Sequence, residues 1–242
     1  MPIDLTPLLS LIEENLWWPE LAAAVEKGVD GFRVQMPEAA KPFVIAALYH
    51  HLKKPMLVIT AQPENAKRLY AQVANWYESG TIKLFPEPET LPYEIVAADS
   101  SSEIERLQVL AAMAGTGKNS PALVIVSAQG LSQRLPSPKF FENARQTIKA
   151  GSNVKPLELL AQWQTLGYRL EDLVEVPGTM SRRGGIVDIY PTDSELPARL
   201  EFFGDTVESI RLFDPATQRS LRGVNSIDIT PASEKLAGEP EE

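Results

Sequence analysis

The 242-residue chain has no cysteine. That excludes disulfide frameworks, thiolate nucleophiles and cysteine-held metal clusters, and it fits a reducing, cytoplasmic setting. Histidine is nearly as scarce, with only His50 and His51. Adjacent helical positions point in different directions, and no acid completes a set at ligand spacing, so no metal site is expected. A Ser/His/Asp triad meets the same shortage. Apolar runs stop well short of the roughly 20 residues that a membrane span needs. The opening "MPIDLTPLLSLIEENLWW" lacks the basic start of a secretory signal, so no membrane association is expected. Basic residues are also in deficit: 23 Lys and Arg face 32 Asp and Glu, a formal charge of −9. Phosphate neutralisation supplies most non-specific affinity for nucleic acid, so DNA contact is expected to be weak or absent.

What is present is the balance of a soluble globular chain, 44% hydrophobic and 23% charged. That length allows one large domain or two moderate ones. In the first half, helix and strand patterns alternate. "VDGFRVQM" reads as a strand, "KPFVIAALYHHLKK" as a buried helix and "MLVIT" as a buried strand. In "PENAKRLYAQVANWYESG", Ala66, Leu69, Tyr70, Val73, Trp76 and Tyr77 follow helical spacing, with Gly80 at the stop. "TIKLF" is a further strand, and "PEPETLPYE" is a proline-rich loop. Ser100 to Ser102 with Glu103 and Glu105 give overlapping capping boxes that open the helix "EIERLQVLAAMA". "ALVIVSA" is again a buried strand. This alternation predicts crossover units and a mainly parallel sheet.

After Pro136 the texture changes. The helix "PLELLAQWQTLG" precedes "RLEDLVEV", "GGIVDIYP", "ARLEFFG" and "TVESIRLFD", short runs separated by Pro-Gly, Gly-Gly, Gly-Asp and "DPATQ". These turn signals predict a smaller, mostly antiparallel α+β domain. The expected division is 1–132, 133–232, and 233–242 as an acidic tail or the start of a following segment.

"MAGTGKNS" resembles the end of a phosphate loop, but the pattern fails. The first glycine position, 112, is alanine, the hydroxyl position is Asn119, and a helix precedes it where a strand is required. Gly115 is better read as a helix stop. The topologically correct position lies earlier, in "QMPEAAKPF". There Lys41 stands in the lysine place, Gln35 and Ala40 replace the two glycines, and Pro42 replaces the hydroxyl. Pro42 also removes an amide donor that a helix start would offer to phosphate. A degenerate phosphate loop is therefore expected, with no ATP bound and no cofactor. A helicase or translocase fragment, the enzymatic alternative, would need nucleotide held by Lys41 or Lys118. A DNA-binding module is the other alternative. Glu201, Asp205 and Glu208 form a carboxylate cluster, read as hairpin surface ahead of an acid/base pair. Trp17 and Trp18 read as packing.

"LFPEPETLPYE", "SSSEIERLQVL", "ALVIVSAQGLSQRLP", "GYRLEDLVEVPG", "RRGGIVDIYP", "ARLEFFGDTVESIRLFDPATQRS" and "ITPASE" occur in an order that resembles the N-terminal, UvrB-like region of the bacterial transcription-repair coupling factors, the Mfd family. The resemblance covers nearly the whole chain and is most specific over 184–220. It implies a non-catalytic module with a degenerate nucleotide-type domain and a small domain that docks onto UvrA. It also implies the remainder of a longer protein as partner: an ATP-driven motor, an RNA polymerase-binding domain and a C-terminal domain. The UvrA-facing residues it implies are Arg169 in "GYR", Arg183 before the glycine turn, and Glu201 opening "EFFGD". Tyr190 takes the aromatic place at the edge of that face. Where UvrB has a further arginine this chain has Ser181, with Arg182 between. Arg182 is taken with Arg169 and Arg183 as a local positive patch for UvrA. Read without the resemblance, the three are either such a patch or solvated hairpin residues paired with Glu171, Asp172 or Glu175, the second being favoured.

Overall fold

The computed structural model describes residues 5–28, 31, 33–77, 81–87, 100–114, 123–132 and 134–234. The phosphate-loop look-alike at 115–120, most of the proline-rich loop after residue 87, Gly80 and the acidic tail from 235 lie outside these residues. The chain forms two compact units, 1–87 with 121–133, and 88–120 with 134–242.

The first unit has a short 3-10 segment, then α1 (Trp18–Glu26), α2 (Lys41–Leu52), β1 (Met56–Thr60), α3 (Pro63–Ala74), β2 (Ile82–Phe85) and β3 (Leu123–Ser127). Each of its three helices has a proline in its first turn, where the missing amide would have had no helical partner. The strands pair in parallel in the order β1-β3-β2. All five residues of β3 are buried, which explains its unbroken apolar run. Ala66 and Val73 of α3 pack with Val44, Ala46 and Ala47 of α2, and Leu69 and Tyr70 flank the same core, as the helical spacing predicts. Helix α3 ends at Ala74, so Trp76 and Tyr77 reach that core from the turn after it. Trp18 is buried and meets Trp17 and His51 edge-on at 6.2 and 5.7 Å, a packing role.

Two expectations for this unit need correction. "MLVIT" forms an edge strand, with Leu57 and Ile59 exposed on alternate positions. The predicted strand "VDGFRVQM" is not found among its described residues: 33–36 are irregular, and Arg33, Val34 and Gln35 are exposed. Gly31 has a φ of 71°, which turns the chain out of an extended path, and Pro37 ends the run. An apolar-leaning sequence becomes a strand only where another strand accepts its amides.

The second unit contains α4 (Ser100–Met113), α5 (Pro138–Ala144), β4 (Gln146–Lys149), α6 (Pro156–Thr165) and seven further strands. These are β5 (Arg169–Leu170), β6 (Thr179–Arg183), β7 (Ile186–Ile189), β8 (Ala198–Phe203), β9 (Thr206–Phe213), β10 (Ser220–Val224) and β11 (Ser226–Ile229). Strands β5 to β10 form one sheet in sequence order, antiparallel except for β5 with β6, while β11 pairs with β4. The Gly-Gly and Gly-Asp signals are two-residue hairpin turns, with Gly184 and Gly204 at φ 62° and 60°. "RLEDLVEV" contributes only its first two residues to the sheet. The core lies between α6 and one sheet face: Leu159, Leu160 and Trp163 pack with Met180, Val187, Ile189, Leu200 and Ile210. Gly167, after α6, has φ 94°, and a Cβ there would lie 2.6 Å from that of Ser233, so only glycine fits.

Helix α4 is held to this unit by polar contacts. Buried Arg106 donates through Nε to Glu234 at 2.6 Å and through Nη2 at 3.1 Å, and Gln108 donates to the Thr192 carbonyl at 2.6 Å. Glu234→Ala leaves the guanidinium buried without its forked partner and should lower the local stability of 100–113 by about 3 kcal/mol. Amide hydrogen exchange reads this directly; unchanged protection of the helix would contradict the assignment.

Buried Tyr168 donates to the Thr230 carbonyl at 2.8 Å. Burial, reinforced by Asp193, raises its pKa above the ordinary 10.0. The unfolded chain loses this proton near pH 10 and the folded chain does not, so stability should fall as pH rises past about 10. Tyr168→Phe should flatten that fall in urea-denaturation measurements, and an equally steep fall in the variant would exclude Tyr168 as its source.

Candidate functional site

The sheet of the second unit has one face against α6 and one open face. Cross-strand register defines rows on the open face. Arg183, Ile186, Glu201 and Ser209 form one row, and Ser181, Asp188, Arg199, Arg211 and Gly223 the next. Thr179 pairs with Arg169 on one side, and on the other its carbonyl accepts from the Tyr190 amide, giving a third row. Because side chains alternate along a strand, Met180, Val187, Ile189, Leu200 and Ile210 occupy the opposite, core face.

Asp188 is the centre of the open face and is only 1% exposed. Arg199 grips it with a fork, Nε to Oδ1 and Nη2 to Oδ2, both 2.8 Å. Arg183 donates Nη2 to Oδ2 at 3.2 Å. Their exposures differ: 16% for the Arg199 side chain and 53% for that of Arg183. Arg199 is therefore part of the support, and Arg183 presents the rest of its fork to solvent. The hydrogen bonds that Arg199 donates to Asp188 raise its pKa above the ordinary value. Arg199 also lies 4.7 Å over the ring of Phe213, which packs with Val174 and Tyr190 in a small cluster. In the neighbouring row Glu201 accepts from the Ser209 hydroxyl at 2.5 Å and lies 3.9 Å from Arg211. Beyond it, next to the β8–β9 turn, Phe203 is 81% exposed.

Register thus brings Arg169, Arg183, Glu201 and Tyr190 to one face of the sheet. Arg182 stands in register with Val187, in the alternate position, and is exposed at the other side of the strand. Arg183 pairs with Asp188 rather than with Glu171, Asp172 or Glu175, and Arg169 and Arg182 have no ion pair among the described residues. Tyr190 is buried, its hydroxyl donating to the Glu195 carbonyl at 2.8 Å, so it shapes the face from beneath. Burial raises its pKa, with Glu195 adding to the shift. Asp188, Arg199, Arg211, Ser209 and Phe203 were not anticipated. Strand alternation could have found two of them, since "VDI" sets Asp188 opposite its apolar neighbours and "RLE" sets Arg199 beside Glu201.

In the first unit, Gln35 is exposed in the irregular segment, Ala40 ends a 3-10 turn and Pro42 is buried in the first turn of α2. Lys41 is half-exposed and paired with Glu38, three residues earlier. A cleft of about 650 Å³ beside them is lined by Lys41, Thr60, Asn65 and Arg68 among others. Among the described residues no group of His, Asp and Glu has the makings of a metal site. No helix there is long and apolar enough to cross a membrane.

One family model covers the residues of this sheet, and relatives match most of the chain. The family model of the UvrB interaction domain matches residues 147–234, which contain the whole open face. Transcription-repair-coupling factor of Bacillus subtilis is 32% identical over 204 residues, 84% of this chain and 17% of that protein. Its counterpart in Myxococcus xanthus is 33% identical over 205 residues, 82% of this chain and 17% of its own length. That of a Staphylococcus aureus strain is 29% identical over 235 residues, 97% of this chain and 20% of its own. The chain resembles the N-terminal, UvrB-like region of transcription-repair-coupling factor. It spans about a fifth or less of the length of these curated relatives. Within this coupling-factor-like region the interaction-domain match begins at β4 and ends at Glu234, the partner of Arg106.

The two arginines on Asp188 should separate in a stability measurement. Arg199→Ala removes the fork from a buried carboxylate and should lower the unfolding free energy by about 3 kcal/mol. Arg183→Ala, at the exposed end, should lower it by less than about 1 kcal/mol. Equal losses in urea denaturation would contradict this division of roles.

Proposed function

We propose that this chain is a non-catalytic docking module that recruits UvrA, linking removal of stalled RNA polymerase to nucleotide excision repair in the cytoplasm. The observation that carries this reading is the coincidence of Arg169, Arg183 and Glu201 on one polar face within the residues matched by the UvrB interaction domain. Such a face suits protein recognition. Arginine forks bind carboxylates with two hydrogen bonds, Glu201 offers the complementary charge, and exposed Phe203 adds an apolar anchor. In the longer protein the other partners are the motor, the RNA polymerase-binding domain and the C-terminal domain.

The first unit, in this reading, is a nucleotide-type scaffold with a degenerate phosphate loop. Its support is chemical: Gln35, Ala40 and Pro42 supply neither glycine flexibility nor a metal-binding hydroxyl, and Lys41 is engaged by Glu38. No nucleotide is bound or hydrolysed by this region, and DNA contact is weak or absent. A calorimetric titration with MgATP that shows binding would favour a helicase or translocase fragment instead.

Purified UvrA mixed with the chain should form a complex by calorimetry, and Arg183→Glu should weaken it by at least about tenfold. Arg182→Glu, on the alternate side of the strand, should have a smaller effect. The reading fails if wild type shows no complex at tens of micromolar, roughly −6 kcal/mol, or if Arg183→Glu binds as tightly as wild type.

A further inference from the structure

We propose that Asp188 is a positioning residue for partner binding, a buried carboxylate that aims the exposed guanidinium of Arg183 through the shared Arg199 pair. The proposal deepens the docking reading and rests on it. Asp188 is nearly inaccessible to any partner, so it cannot itself be a contact. Three hydrogen bonds reach its two oxygens, two from Arg199 at 2.8 Å and one from Arg183 at 3.2 Å. Two guanidinium groups therefore share one carboxylate, which leaves a net positive charge on the open face.

Arg183 commits one Nη2 donor to Asp188, and its remaining N–H groups are free to meet a partner. A free arginine loses rotamer freedom when it binds, whereas one already held by a fixed acceptor loses less. The acceptor here is itself fixed, because Arg199 grips both oxygens and stacks on Phe213. Ile186 and Glu201 continue the row of Arg183 across the next two strands. The partner surface must therefore offer a carboxylate and a basic group about 10 Å apart, two strand spacings.

The test is a double-mutant cycle with UvrA as the probe. Asp188→Asn should weaken UvrA binding about tenfold in the wild-type background and less than about twofold in an Arg183→Ala background. An equal loss in both backgrounds would overturn the proposal, since a merely structural role does not depend on Arg183. No loss in the wild-type background would overturn it as well. Should Asp188→Asn fail to fold, the pair Asp188→Asn with Arg199→Gln leaves no buried charge unpaired, and the same cycle is read on it.

A second measurement does not involve UvrA. In ¹⁵N-labelled chain, with Arg183→Lys to assign the signal, Arg183 should show hindered rotation of its guanidinium that Asp188→Asn abolishes. A freely rotating Arg183 in the wild-type chain would refute the positioning role. Hindered rotation in a chain that does not bind UvrA would instead refute the docking reading.

Discussion

Asp188 is a charge taken out of water in the middle of a sheet face, and the arrangement around it follows from that. Desolvating a carboxylate costs several kcal/mol unless its oxygens are well paired. Arg199 supplies the pairing with a fork, and Arg183 completes it from the exposed side. Arg199 is held in turn by the face of Phe213, which closes the small apolar cluster with Val174 and Tyr190. One buried carboxylate thus organises both the charged centre of the face and its apolar margin. Hydrophobic side chains of similar size would hold a sheet about as well. What the ions add is order in a polar surface.

The second unit was largely legible in its sequence, for a reason specific to hairpins. Gly-Gly and Gly-Asp between short alternating runs demand turns with positive φ, and those turns fix register. Once register is fixed, the face of Arg183, Glu201 and Arg169 follows from counting by twos. Adjacency in sequence resembles proximity, but neighbours on a strand such as Arg182 and Arg183 belong to opposite faces. The support was not legible. Asp188 lies in "IVDIY", where a lone acid among apolar residues reads as an ordinary outward position, and its burial depends on arginines eleven and five residues away.

The first unit was less legible where strands had to find partners. Apolar content marked β3 as a buried strand, and all of it is buried. The same kind of run at "MLVIT" became an edge with exposed Leu57 and Ile59, and residues 33–36 of the expected first strand are irregular. Pairing is non-local, so the pattern of one segment cannot specify it. Helix α3 fared better because an apolar stripe is a local pattern, and Ala66, Leu69, Tyr70 and Val73 pack as their spacing requires.

Helix α4 belongs to the second unit, yet the chain returns to the first for β3 before building the sheet. Neither unit is contiguous in sequence. No single cut in the chain therefore separates the two units with both intact. During synthesis, α4 emerges with its charged partner Glu234 still 128 residues away. The hairpins between them close over short loops and form first, while the Arg106–Glu234 fork forms only once residue 234 has been made.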